Sequence, residues 1–194
     1  MKKKKLMVIG LIIAFAVFFL YRYRSLNMQF PNPELREAYI GEVMEFEDVT
    51  FELEKVEILD GKDMNAIDPD IVIATDPSGK PFPDEKIRVV LNYIQIKNIG
   101  NKQKLVDFSR INAESGAWGN GINGEIFMAL NPGVSVQKEI IKPGEVRNVV
   151  IPFSMLSTMF KERDWEGIDE RVFSTVLNLY PEKIVLTGKK QPEN

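Results

Sequence analysis

Fifteen consecutive residues without a charged or amide side chain, Leu6 to Leu20, follow directly on the run Lys2-Lys3-Lys4-Lys5. Such a stretch does not stay in water: it enters hydrocarbon, is cut away, or is buried. As a helix it is roughly 23 Å long, short of the ~30 Å hydrocarbon core of a bilayer. Tyr21 and Tyr23 can sit at an interface, and Lys5, Arg22 and Arg24 can reach toward water, so a slightly thinned bilayer accommodates the span. The competing reading is a cleaved secretory signal. The only A-x-A, Ala14-Phe15-Ala16, lies inside the apolar run, and Tyr-Arg-Tyr-Arg follows Leu20 rather than a small-residue cleavage site. The sequence therefore favours a retained signal anchor over residues 6–21, in contact with membrane lipid. Lys2, Lys3, Lys4 and Lys5 outnumber the two arginines that follow and act as topology determinants. They place a basic tail, residues 1–5, in the cytoplasm and the rest of a single-pass protein outside the cell membrane. Residues 22–40, with Phe30-Pro31-Asn32-Pro33, read as an extended stalk. Residues 41–190 read as the extracellular domain.

Composition narrows the chemistry. The chain has no Cys and no His. Disulfides, a lipid-attachment thiol, thiolate or Ser-His nucleophiles, two-His zinc sites and imidazole proton transfer are thereby excluded. Six of the 25 bases and none of the 28 acids fall in the first 25 residues, so residues 26–194 carry nine more acids than bases. That balance argues against nucleic-acid binding, which depends on clustered Lys and Arg. It favours a basic protein patch or another envelope partner.

The acidic part reads as mainly β. In Val49-Thr50-Phe51-Glu52-Leu53-Glu54 apolar side chains alternate with polar ones, and at Lys55 the phase flips so that Val56 and Ile58 become the inward pair. One extra residue there predicts a β-bulge. Val43–Phe46 reads as a short strand ahead of it. Residues 60–86, rich in Pro and Asp, read as a long excursion. Ile87–Lys97 is apolar on both phases near its middle, as a strand covered on both faces would be. Leu105–Ile111 reads as a returning strand, 112–124 as a Gly/Asn-rich loop around Trp118, and Glu125–Leu130 as another strand. Asn131-Pro132-Gly133 and Pro143-Gly144-Glu145 then predict two hairpins flanking Val134–Lys142 and leading into Val146–Phe153. Ser154–Glu170 holds a short helix bounded by Gly167, Arg171–Leu179 is ambiguous, and Lys183–Thr187 closes the fold. Seven to nine short strands with frequent turns imply a two-sheet antiparallel sandwich.

The segments GEVMEFEDVTFELEKVEIL, IRVVLNYIQIKNIGN and IIKPGEVRNVVIPF, placed after an anchor, are similar to a group of uncharacterised anchored or secreted proteins of Gram-positive bacteria. The ectodomains of that group are immunoglobulin-like (telokin-like) sandwiches. The likeness covers about two-thirds of the chain, which departs from it in lacking a lipid-attachment Cys and in placing Pro152 before Phe153. The resemblance implies an antiparallel immunoglobulin-like β-sandwich preceded by one transmembrane helix, and it brings no catalytic residues.

Two loops offer binding candidates. Asp68, Asp70 and Asp76 lie in the acidic excursion, where oxygen ligands could in principle meet a calcium ion. The spacing there lacks an EF-hand's alternation and terminal Glu, so a solvated turn is the favoured reading and no metal or cofactor is expected. Trp118, Asn120 and Asn123 lie in the Gly/Asn-rich segment. Trp118 is either an exposed anchor for a partner or a side chain folded back over the end of the sandwich. The expected function is an anchored, non-catalytic binding module. The alternative is an accessory subunit of a membrane assembly whose helix makes contacts through Gly10 and Ala14.

Overall fold

A computed structural model describes residues 2–188, with side chains from Lys5 onward. The side chains of Lys2, Lys3 and Lys4, and residues 189–190 of the expected domain, lie outside the described residues. The chain divides into two compact units, Met1–Glu34 and Leu35–Asn194.

The first unit is the helix α1 (Lys2–Gln29), about 42 Å long at about 1.5 Å per residue. Its segment Lys5–Gln29 is long and apolar enough to cross a membrane, and the most apolar window is fully exposed. The stalk expected over 22–40 does not form. The helix runs through Arg22–Gln29, because nothing in Arg22-Tyr23-Arg24-Ser25-Leu26 breaks it. Pro31 disfavours helical backbone at Phe30 and so ends it. Glu34–Tyr39 is then strand β1.

The second unit is a β-sandwich. One sheet has the order β2-β3-β4-β9, from β2 (Val43–Phe46), β3 (Val49–Asp60), β4 (Ile87–Asn98) and β9 (Val146–Leu156). The other has the order β1-β11-β10-β6-β7, from β6 (Asn112–Ser115), β7 (Trp118–Gly121), β10 (Ser174–Asn178) and β11 (Glu182–Thr187). A separate ladder joins β5 (Lys104–Val106) to β8 (Glu139–Ile141). The pairings β2–β3, β3–β4, β4–β9, β6–β7, β6–β10, β10–β11 and β5–β8 are antiparallel. The core between the sheets holds Leu53, Ile94, Ile96, Phe108, Phe153 and Leu186, each less than 2% exposed. As the phase flip requires, the β3–β4 register shifts between Leu53 and Lys55. Val49, Phe51 and Leu53 point inward before that bulge, and Val56 and Ile58 do so after it.

Strand β4 sends Val90, Ile94 and Ile96 into that core, and Ile87, Val89 and Leu91 into a second apolar cluster on its opposite face. This second cluster is closed by Met64 of α2 (Gly61–Ile67), by Ile71, Ile73 and Phe82, and by Ile126 of α3 (Gly124–Leu130). The 60–86 excursion is therefore in large part a cover for a sheet face. Gly61, the first residue of α2, lies where a Cβ would stand 2.7 Å from Asp84 Cα, so the helix start can approach that backbone only as glycine.

Four local expectations change. Glu125–Leu130 is helical rather than extended, since the Asn123 side chain accepts the Ile126 N–H and caps the turn. Its two buried side chains split, Ile126 to the second cluster and Phe127 to the main core. Residues 112–121 of the expected loop form the β6–β7 hairpin, turned at Gly116 with φ +61°. Of the returning strand expected over Leu105–Ile111, only Leu105 and Val106 are extended, in β5 (Lys104–Val106), because the Asp107 side chain accepts the Ser109 N–H and starts a 3-10 turn over Phe108–Arg110. Val134–Lys142 contributes only β8, which pairs with β5 and not with β9, so Pro143-Gly144 carries the chain from one ladder into another sheet. The short helix before Gly167 is α4 (Glu162–Glu166), and the ambiguous segment resolves to β10. Among the described residues, Asn92 Oδ1 and Thr175 Oγ1 are buried without a hydrogen-bond partner.

Candidate functional site

The six candidate binding residues occupy two places, and local structure uses most of their polar groups. Asp68 ends α2 and its Oδ1 accepts the Asp70 N–H at 3.0 Å. Asp76 Oδ1 accepts from the Ser78 hydroxyl (2.6 Å), the Ser78 N–H (2.8 Å) and the Lys80 N–H (3.0 Å). The Ser78 hydroxyl first, and the Lys80 N–H second, hold this carboxyl below the usual range. Among the described residues no group of three or more acids is placed to hold a metal ion.

Trp118 is half-buried and folds back onto aromatic neighbours. Its ring centroid lies 5.7 Å from Phe160 and 5.7 Å, edge-on, from Phe173. Phe160 in turn meets Trp165 at 5.8 Å. The Arg171 guanidinium lies over Phe160 and that of Arg88 over Trp165, while Arg88 also pairs with Asp169 at 2.8 Å.

Asn120 and Asn123 serve the outer edge of β9. An edge strand exposes unpaired backbone groups, and here side-chain amides pair with them. Asn120 Nδ2 donates to the Ser154 C=O at 2.8 Å. The Asn123 N–H donates to the Pro152 C=O at 2.9 Å, and its Nδ2 donates to Ser154 Oγ at 2.8 Å. Asn131, at the end of α3, completes the seam. It accepts the Val150 N–H at 2.7 Å and donates to the Val150 and Phe127 carbonyls, both at 2.8 Å.

A cleft of about 440 Å³ opens elsewhere, at the end of the sandwich where the β2–β3 tip, β5 with its following turn, and the β10–β11 turn converge. Phe46, Val49 and Phe51 line one side, Val106 and Ile111 a second, and Leu177 a third. Around them Leu105, Leu179 and Tyr180 are 63%, 52% and 48% exposed. Strand alternation produces this wall: Val49 and Phe51 belong to the inward set of β3, and Leu177 to the inward set of β10.

The rim is built with backbone strain. Glu47 and Asp48, the two residues joining β2 to β3, have φ of 52° and 64°. A two-residue hairpin of this kind usually takes Asn-Gly, and a β-carbon at positive φ costs about 1–2 kcal/mol per residue. The tip is held by the Ile99 N–H, which donates to the Asp48 C=O at 2.9 Å, and by Lys104 Nζ, 2.7 Å from Asp48 Oδ2. Gly100 packs closely beside it: a Cβ there would stand 3.0 Å from the Asp48 Cβ, tight enough that the tip would have to shift by a few tenths of an ångström. Asp107 on the cleft wall accepts from the Ser109 N–H and hydroxyl. Glu47 and Arg110 also line the cleft, and among the described residues neither forms an ion pair.

None of these cleft residues was a sequence candidate, and none of the six candidates lines the cleft. The available signal was the Glu-Asp pair between two strands and the apolar Leu179-Tyr180 before Pro181. A further titratable group, Lys55–Glu57–Tyr93, lies on β3 and β4. Tyr93 Oη donates to Glu57 Oε2 at 2.6 Å and Lys55 Nζ is 2.6 Å from Glu57 Oε1. Burial, then the bond to Glu57, pushes the Tyr93 phenol up to about 12. Hydrogen bonds from Lys55 and then Tyr93 pull Glu57 down. A phenol so weakly acidic and a carboxyl so firmly ionised are fixed in one protonation state at neutral pH.

The profile of a family described as a domain of unknown function, DUF5028, matches residues 33–184. No curated protein matches the chain. Among solved structures, an uncharacterised β-sandwich protein of Clostridium difficile 630 is 14% identical with a TM-score of 0.46, covering 81% of this chain and 97% of its own. The YjhA protein of Bacillus subtilis is 9% identical with a TM-score of 0.46, covering 78% and 98%. A functionally unknown protein of Listeria monocytogenes EGD-e is 14% identical with a TM-score of 0.44, covering 69% and 67%.

Proposed function

We propose, from the premise that this chain belongs to the DUF5028 family of domains of unknown function, that it is a tethered, non-catalytic binding module. In this reading α1 stays in the cell membrane, the N-terminus is cytoplasmic, and the sandwich faces outward to bind a protein or other envelope partner through the cleft at its end. The observation that carries the reading is the exposed apolar surface of α1. Leu11, Phe15, Phe18, Phe19 and Leu20 are each more than 60% exposed, and leaving one such side chain in water costs about 1.5–3 kcal/mol. Hydrocarbon removes that cost, and the lysines before the span favour the stated orientation. The absence of His and Cys from the chain supports binding over chemistry.

Protease added to intact cells tests the topology. Digestion of the sandwich from outside, with residues 1–5 protected, is expected. A full-length chain untouched in intact cells and cut only after lysis would refute the outward orientation, and a free mature chain in the medium would refute the tether.

A further inference from the structure

The end cleft has a mixed wall. Its floor is apolar, with Phe51 and Leu177 at its sides, whereas Glu47 and Arg110 stand on it as oppositely charged groups that no described residue pairs. Leu105, Leu179 and Tyr180 surround it and stay largely wet. We infer that this end of the sandwich receives a segment of a partner protein, which inserts one bulky apolar side chain into the cleft, sets a carboxylate against Arg110 and offers a base to Glu47. The inference rests on the binding-module reading and names the partner's chemistry.

Three features select this occupant. A cavity of 440 Å³ takes a whole Leu, Phe or Trp side chain. A small molecule filling only that space would leave the apolar collar in water. Exposed apolar side chains around a pocket, with Tyr and Arg among them, match the anchored patches of protein interfaces. A lipid tail fits poorly, because the charged Glu47 and Arg110 would face hydrocarbon without partners. A second copy is disfavoured by charge, since residues 26–194 carry nine more acids than bases and two copies repel. The rim also suits recognition because it is held in advance. The Asp48 contacts to Ile99 and Lys104 fix the hairpin tip, which lowers the ordering cost on binding.

The test is selection of random twelve-residue peptides displayed on phage against the full chain in nanodiscs, with empty nanodiscs as the control. Enriched sequences are expected to carry a bulky apolar residue within two positions of an acid. A fluorescent enriched peptide should bind at least tenfold more weakly to R110E and to L105D. Both positions are exposed, and circular dichroism checks that the variants fold. Selection on R110E should exchange the acid for a base, and K62Q, exposed and away from the cleft, should bind as the parent does. The inference is overturned by any of four results: no enrichment, enriched peptides without an acid, R110E binding as the parent does, or self-association abolished by R110E. None of these readouts depends on which side of the membrane the sandwich occupies, so a failed topology is recognised separately by protease.

Discussion

Asn131→Ala tests whether side-chain amides close the β9 edge. The parent Asn131 is 6% exposed and makes three bonds of 2.7–2.8 Å, two of them to the backbone of Val150. Removing the amide orphans the Val150 N–H and C=O. The Phe127 C=O keeps a partner, because it also accepts the Asn131 N–H at 2.9 Å. Each orphaned group costs about 1–3 kcal/mol when dry. Val150 is half-buried, so water reaches part of it and the lower half of the range applies. The expected loss is therefore about 2–4 kcal/mol, or about 6–12 °C in Tm for a domain of this size. Urea unfolding of the detergent-solubilised chain reads this through the fluorescence of Trp118 and Trp165, its only two tryptophans, both in the aromatic cluster. Asn131→Asp sharpens the test. It keeps an acceptor for the Val150 N–H but turns a carboxylate toward two carbonyl oxygens. That environment raises its folded pKa above the unfolded value, so its contribution is present at low pH and lost as pH rises through the folded pKa. The Asp variant should accordingly be weak at neutral pH and partly recover in acid. A loss under about 0.5 kcal/mol for the Ala variant with an unchanged m-value, against the orphaning cost, would refute the edge argument.

Tyr93 should ionise near pH 12 rather than the ordinary 10.0, seen as the component of alkaline tyrosinate absorbance that Y93F removes; ionisation near 10 would break the link to Glu57. Its folded pKa is raised, so its contribution to stability is present below the unfolded value and lost as pH rises through about 12. Glu57 has the opposite sign: its folded pKa is lowered, so its contribution is present above the unfolded value and lost as pH falls through the folded one. Thr175→Val removes a buried hydroxyl without a partner at nearly constant shape and should stabilise by about 1–2 kcal/mol in urea; destabilisation would show that Oγ1 is in fact paired. Glu47→Asn places a residue tolerant of positive φ at the hairpin tip and should raise stability by about 0.5–1 kcal/mol by thermal unfolding. No change would mean that the tip carries little strain.

Periodic features were legible in the sequence. The alternation of Val49-Phe51-Leu53, its phase flip at Lys55 and the two-faced apolarity of Ile87–Lys97 each follow from one strand's relation to the layers around it, which composition records residue by residue. Less legible were elements whose side chains serve two layers. In Glu125–Leu130 the apolar residues serve both cores, so no single phase marks a helix, and its cap, Asn123, reads as loop composition. The candidate sites were harder to read. Asn120 and Asn123 are residue types suited to binding, and only geometry shows their amides turned onto β9. The cleft stayed hidden because its wall is assembled from stretches near 46–51, 104–111 and 177–180, each of which looks like an ordinary strand end.

The amide seam along β9 has a chemical consequence of its own. Asn120 and Asn123 are each followed by glycine, the neighbour that most readily lets a backbone nitrogen attack an asparagine amide and release ammonia. In the folded chain both amide nitrogens are held by Ser154. The Asn123 Oδ1 also accepts the Ile126 N–H, which keeps the Asn123 side chain from the bent geometry that attack requires, whereas the Gly121 N–H already donates to Asn120 Oδ1 at 2.9 Å. A molecule that lingers unfolded loses that protection. It would gain negative charge at Asn123, where the Ser154 hydroxyl is met, so delayed maturation would leave a lasting chemical scar at the very border that helps to hold the sandwich shut.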